Sequence, residues 1–109
     1  MEVGARMATG LAVTEKDIYE QCVSLLEQTG CAVYRLSQAR ASKQTPGLPD
    51  LIAFTPRHTM LLIETKRPGG RLRDAQRKFA ERVLGTMGCP VYLVINDPRS
   101  LVEWIRHDP

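Results

Sequence analysis

Gly47-Leu48-Pro49-Asp50-Leu51-Ile52-Ala53-Phe54-Thr55-Pro56-Arg57-His58-Thr59-Met60-Leu61-Leu62-Ile63-Glu64-Thr65-Lys66 is the stretch whose reading decides the fold. Leu51 to Phe54 and Met60 to Ile63 are short apolar runs parted by a turn that holds Pro56 and His58, and such a pair reads as two buried, neighbouring strands. Neighbouring strands bring Asp50, at the head of the first, to Glu64, at the end of the second. Side chains alternate along a strand, so Leu62, Glu64 and Lys66 share one face while Ile63 and Thr65 take the other. Two close carboxylates repel each other strongly unless a cation lies between them, and hard oxygen ligands suit Mg²⁺ or Mn²⁺. An acid pair with a lysine alongside therefore fits metal-dependent phosphodiester chemistry. The plainer alternative makes Asp50 a turn residue at a strand edge, and Glu64 with Lys66 an exposed pair at a strand end.

The chain of 109 residues is the size of one domain, and its 43% of hydrophobic residues is enough to build a core. A net charge of +3 and a pI near 9.0 permit a nucleic-acid partner without requiring one. The clustering says more: Lys66, Arg67, Arg71, Arg73, Arg77 and Lys78 fall within a short segment that begins at the acid pair. It reads either as a functional basic face or as a solvated helix face. Cys22, Cys31 and Cys89 are an odd number without zinc-clip or disulfide spacing, and each has apolar neighbours. Reduced, buried thiols are expected, as in a cytoplasmic protein. No run is long and apolar enough to span a bilayer, and residues 1–13 lack a secretory core, so they read as a flexible leader in which Met7 is an alternative start to Met1.

Around the central hairpin the pattern extends both ways. Thr14-Glu15-Lys16-Asp17 resembles a capping box, and Ile18, Cys22, Leu25 and Leu26 recur at helical spacing until Gly30. Cys31 to Leu36 reads as a strand and 37–47 as a polar, basic loop. Pro68-Gly69-Gly70 breaks the chain before a second helix from about Leu72 to Met87, which ends at Gly88. Val91 to Ile95 is an unbroken β-rich run and predicts an interior strand. A short helix near Pro98 to Arg106 follows, with Leu101, Trp104 and Ile105 on one side, suited to covering the sheet or to a dimer contact.

Two polar residues fall on apolar faces. Projection of the first helix places Glu15 inside the arc of Ile18, Cys22, Leu25 and Leu26, whereas Glu20 and Glu27 project outward as solvent-facing acids. A carboxylate on the buried side calls for a cation, which makes Glu15 a candidate third acid; the alternative is a first-turn acid that favours the helix dipole. On the second helix, Gln76 projects into the arc of Leu72, Phe79, Val83 and Met87. A buried amide needs partners, near Glu64 or on a phosphate, or simply between two structural elements. A helix start next to Gly69 and Gly70 also suits a phosphate.

With Glu15, Asp50, Glu64, Lys66 and Gln76 in place, the chain resembles a stand-alone VRR-NUC domain, the virus-type replication-repair nuclease branch of the PD-(D/E)XK superfamily. The resemblance covers residues 14 to about 105 and is carried by Gly47-Leu48-Pro49-Asp50-Leu51-Ile52, by Ile63-Glu64-Thr65-Lys66-Arg67-Pro68-Gly69-Gly70-Arg71-Leu72 with Gln76, and by Gly88-Cys89-Pro90-Val91-Tyr92. It implies an α/β, restriction-endonuclease-like αβββαβ core: a mixed central sheet flanked by helices, with a short C-terminal helix, over residues 14–109. It also implies Mg²⁺ or Mn²⁺ dependence and cleavage of DNA phosphodiester bonds. Carried over by position, Asp50, Glu64, Thr65 and Glu15 are the implied metal ligands, Lys66 the catalytic lysine and Gln76 the motif glutamine. Compact stand-alone members suggest a structure-specific endonuclease of phage or bacterial cytoplasm. A four-way Holliday junction is then the leading substrate, and a homodimer would match its two symmetry-related strands.

Arg67, Arg71, Arg73, Arg77 and Lys78, with Arg35, Arg40 and Lys43, are expected to grip the DNA backbone through phosphate contacts that weaken with salt. No base-reading motif is present. Two rivals remain open: a flap or single-strand nuclease within a replication or repair assembly, and a non-catalytic DNA-binding module that keeps the nuclease fold. A closed structural metal site is a poor fit to oxygen ligands beside a lysine. His58 and His107 read as turn and terminal surface residues.

Overall fold

The computed structural model describes residues 14–36, 46–86 and 90–107. Helix α1 spans Glu15–Gln28 and starts on the expected capping box: Asp17 N donates to Thr14 Oγ1 at 3.0 Å and Thr14 N donates to Asp17 Oδ2 at 3.1 Å. Strands β1 (Ala32–Arg35), β2 (Leu51–Phe54) and β3 (Met60–Thr65) follow, then α2 (Asp74–Thr86), β4 (Val91–Ile95) and α3 (Pro98–Arg106). The four strands form one sheet in the order β1-β2-β3-β4. Its first two ladders are antiparallel and the third, joined through the α2 crossover, is parallel, which gives the mixed sheet expected.

The core lies on one face of this sheet. Ile18, Cys22, Val23 and Leu26 of α1 meet Leu51, Ala53, Leu61, Ile63 and Ile95 of the strands and Leu101 of α3. At roughly 1.5–3 kcal/mol for each fully buried aliphatic side chain, this contact fixes α1 far more firmly than its cap, which contributes ~1 kcal/mol. Trp104 and Ile105, both half-buried, pack against the same cluster. On the opposite face, where Leu62 and Glu64 point, the start of α2 supplies the cover. His58 sits in the β2–β3 turn with φ 70°. Cys22 and Cys31 are buried, and burial pushes the Cys22 pKa up to about 12. Cys89, Arg40, Lys43 and the predicted leader lie outside the described residues.

Two expectations are corrected. Val91 to Ile95 is an edge strand of the described sheet, paired to β3 alone, and Val94 is 45% exposed; its β-branched run reflects pairing and one covered side, not burial on both. Helix α2 begins at Asp74, so Leu72 precedes it and Arg71, Leu72 and Arg73 separate Gly69-Gly70 from the helix start. The glycine pair therefore does not abut a helix N-terminus.

Candidate active site

The site forms where the head of β2 meets the tail of β3. Leu51 pairs with Ile63, so the next ladder position sets Asp50 against Glu64, and Asp50 N donates to Ile63 O at 3.0 Å. Gly47 opens the preceding turn at φ 89°, a conformation open to glycine. A Cβ there would lie 2.3 Å from Ala75 O, so the turn docks directly on the start of α2. Asp50 is anchored in turn, with Oδ2 accepting from Thr65 N at 2.9 Å and from Thr65 Oγ1 at 2.8 Å.

Glu64, Lys66 and Gln76 are only 3%, 6% and 4% exposed. Gln76 Oε1 accepts from the N–H of Arg73, the residue before α2, at 2.7 Å, the return half of a capping box. That bond fixes the amide orientation and turns Nε2 toward Glu64 Oε2, also at 2.7 Å. The buried glutamine thus finds the Glu64 carboxylate itself, not only backbone near it. Lys66 Nζ lies 3.7 Å from the same oxygen, and its main chain donates to Ile95 O at 2.9 Å. Glu64 Oε1 is buried with no hydrogen-bond partner among the described residues. Burial first, and then the nearby Asp50 charge, push the Glu64 pKa up to about 8, against the opposing pull of Lys66.

A cleft of ≈ 370 Å³ opens beside Asp50 and Thr65. Glu15, Lys16, Tyr19 and Glu20 line it from α1, and Arg35 lines it from β1. Glu15 reaches the site as its projection suggested, but as an exposed rim residue rather than a buried one. Glu20 is exposed, as its projection suggested, and it also pairs end-on with Arg35, Nη1 to Oε2 at 3.0 Å and Nη2 to Oε1 at 3.2 Å. That pairing holds the Glu20 pKa below the usual carboxylate range and raises that of Arg35. Tyr19 and Glu20 escaped the sequence reading, although Tyr19 stands four residues from Glu15 and so shares its side of the helix. Tyr92 was missed as well; its hydroxyl is buried without a hydrogen-bond partner among the described residues, and burial, then Glu64 and Asp50, push its pKa up to about 12.

Among the basic candidates, Arg67, Arg71 and Arg73 are exposed and make no ion pair among the described residues. Arg77 and Lys78 instead pair with Asp74 on their own helix, and Arg77 also approaches Glu81 at 4.0 Å.

The profile of the VRR-NUC domain matches residues 7–95, most of the chain. The protein belongs to the VRR-NUC family. A solved structure described as a VRR-NUC domain superposes with a TM-score of 0.69 at 22% identity, covering 89% of this chain and 100% of that one, which shows the shared restriction-endonuclease-like fold. Comparison with curated proteins returned no match. The chain is thus a nuclease-type domain, with DNA as the substrate that such a domain implies. No described helix of this VRR-NUC domain is long and apolar enough to cross a membrane.

The donor set suits a divalent cation. Asp50 and Glu64 are neighbouring acids that repel each other, one Glu64 oxygen is buried without a hydrogen-bond partner among the described residues, and Glu15 lines the cleft beside Asp50. Among the described residues no three acidic, histidine or cysteine side chains close into a finished ligand shell. An open site with room for water and substrate is the arrangement that hydrolysis needs.

Proposed function

We propose that this VRR-NUC domain, over residues 14–109, is a metal-dependent, structure-specific DNA endonuclease that acts on branched DNA, with the four-way junction as leading substrate and a homodimer as the working unit. The observation that carries the reading is the buried, unpartnered Oε1 of Glu64 beside Asp50, with Lys66 and Gln76 on the other oxygen of the same carboxylate. Asp50 and Glu64 would hold Mg²⁺ or Mn²⁺, with Glu15 from the rim and Thr65, whose N–H and hydroxyl proton are committed to Asp50, as further oxygen donors. Such an ion supplies Lewis acidity toward a phosphate oxygen and makes a bound water more acidic.

The chain's own residues do the remaining work. Gln76 fixes the Glu64 rotamer through a hydrogen bond that is itself tied to the α2 start. Lys66, almost excluded from solvent, places an ammonium where its field is weakly screened and can stabilise the charge that builds on phosphorus. Arg67, Arg71 and Arg73 offer exposed cations to the DNA backbone, contacts that position a duplex without reading its bases. Shape recognition follows, and the two equivalent strands of a junction match two copies of one site. The buried thiols Cys22 and Cys31 suit a reducing compartment.

A substrate panel of junction, flap, single-stranded and duplex DNA, run with wild type and Glu64→Ala in Mg²⁺, Mn²⁺ and chelator, tests the reading. Ion-dependent nicking of the junction in preference to the others, lost in Glu64→Ala, is expected. Equal cutting of all four removes the junction claim, preference for the flap transfers the activity to that substrate, and Glu64→Ala nicking at the wild-type rate refutes the catalytic assignment. Sedimentation equilibrium that shows only monomer, with and without junction, removes the dimer.

A further inference from the structure

The cleft beside the acid pair holds a second polar assembly that the chemistry above does not use. Arg35 ends β1 opposite Leu51, and the following residue, Leu36, donates its N–H to Asp50 O at 2.8 Å. Arg35 therefore stands one ladder position from Asp50, and both residues line the cleft. Glu20 engages its two terminal nitrogens end-on, while its Cζ lies 5.3 Å from the centroid of the Tyr19 ring. The buried Tyr19 hydroxyl is close by without forming a well-shaped hydrogen bond.

Exposed ion pairs contribute little to stability, so an arginine restrained by both a carboxylate and a ring is better explained by where it has to point. A guanidinium carries five N–H donors. The end-on pair engages one on each terminal nitrogen, which leaves the side edge, including Nε, open to a second oxyanion without displacing Glu20. Charge balance in the cleft points the same way: three carboxylates, Glu15, Glu20 and Asp50, line it against two cations, Lys16 and Arg35, and of these Arg35 is the one that can present a planar fork to an entering phosphodiester.

We propose that Arg35 forms a subsite for a backbone phosphate flanking the scissile one, and that Glu20, with the Tyr19 ring, is a positioning residue that presents the guanidinium to it. The proposal deepens the endonuclease reading and rests on it for the word scissile. Its ligand is a phosphodiester of the same DNA strand, and the planar fork, rather than charge alone, recognises it.

The test pairs equilibrium binding of a four-way junction in chelator, across a salt series, with single-turnover nicking in Mn²⁺, after thermal melts have confirmed that each variant is folded. Arg35→Ala is expected to weaken binding about tenfold and to make the log–log salt slope shallower by about one. Glu20→Ala should leave affinity within about threefold and the slope unchanged, yet slow nicking about tenfold. Glu20→Gln, which can still accept from the guanidinium, should recover most of that rate, and Glu20→Ala should add nothing in an Arg35→Ala background. An unchanged slope for Arg35→Ala overturns the subsite. Faster nicking or tighter binding by Glu20→Ala overturns the positioning role, because Glu20 would then be masking the arginine, and so does an additive double variant. Wild type that binds the junction but never cuts it sinks the endonuclease reading alone; the salt slope in chelator still decides Arg35.

Discussion

Glu64 should make the ion-free protein lose stability as pH rises from about 5 to 8, the opposite of what a paired carboxylate does. Its folded pKa of about 8 lies above the ordinary 4.5, because burial and Asp50 disfavour the anion. Between those values the unfolded chain has released the Glu64 proton and the folded chain still holds it. The native state binds more protons, so the free energy of unfolding falls with pH across that window and levels off beyond it. At about 1.4 kcal/mol per pH unit the full gap sets a ceiling of ~5 kcal/mol. Relaxation of the surroundings as a buried carboxylate ionises reduces that penalty, so about 2–3 kcal/mol is the loss to expect, a large share of the ~5–15 kcal/mol typical of a domain and worth roughly 10 °C in Tm.

The perturbation is Glu64→Gln, a neutral isostere that can still accept from Gln76 Nε2. Urea melts of wild type and variant at half-unit steps from pH 5 to 8, in chelator and in Mg²⁺, give the answer as a double difference in which every other titration cancels. Glu20 and Asp97, whose pKa values are lowered by their arginine partners, titrate below the window, and the Cys22 thiol titrates above it. In chelator, wild type should lose stability relative to Glu64→Gln as pH rises. In Mg²⁺ the loss should be reversed at pH 8, since an ion that binds only the folded, ionised site stabilises it by mass action. Parallel profiles for the two proteins in chelator would refute the burial argument, and an equal gain from Mg²⁺ in Glu64→Gln would remove Glu64 as a ligand.

Other outcomes follow from the same geometry. Gln76→Ala removes the donor to Glu64 and the acceptor for the Arg73 N–H, so a loss of about 1–3 kcal/mol is expected in chemical denaturation, together with reduced nicking. Gln76→Glu keeps the helix cap but sets a second carboxylate against Glu64, and should cut activity more than stability; activity equal to wild type would exclude that contact. Gly47→Ala must hold φ 89° and place a Cβ 2.3 Å from Ala75 O, so a loss of roughly 2–4 kcal/mol is expected, read as a drop in Tm. Cys22, buried and with a pKa of about 12, should resist iodoacetamide at pH 8 until denaturant is added; mass-spectrometric labelling of the native protein at Cys22 would contradict its burial.

What the sequence disclosed and what it withheld divide along physical lines. Residues placed by local periodicity were legible: the β2–β3 hairpin, the capped α1, and the shared face of Glu64 and Lys66. Gln76 was legible as an amide in the wrong place, but its partner was not, because the amide's orientation depends on where α2 starts, and that lies two residues beyond the periodic pattern. Glu20 was read rightly as an exposed acid, but its partner was not legible, because angular projection locates a Cα and says nothing of an arginine on another element. The edge position of β4 is a property of sheet order, to which a β-branched run is blind. The pairing of Arg77 and Lys78 with Asp74 was available from i, i+3 and i, i+4 spacing and makes the basic segment less uniform than a count of cations suggests.

Fold and site were readable together because one quantity sets both. The apolar alternation of β2 and β3 fixes their register, Leu51 on Ile63 and Ala53 on Leu61, with all four of these side chains in the core. That same register puts Asp50 against Glu64. A slip of one residue would turn the core side chains to the other face and set Asp50 opposite a neighbour of Glu64, so the burial that stabilises the hairpin also specifies the acid pair. The energy is unevenly divided: several aliphatic side chains favour the register, and one buried carboxylate opposes it increasingly as pH rises above the ordinary carboxylate range. The hydrophobic sheet can therefore hold two acids together before any cation binds, which is what the proposed metal site requires.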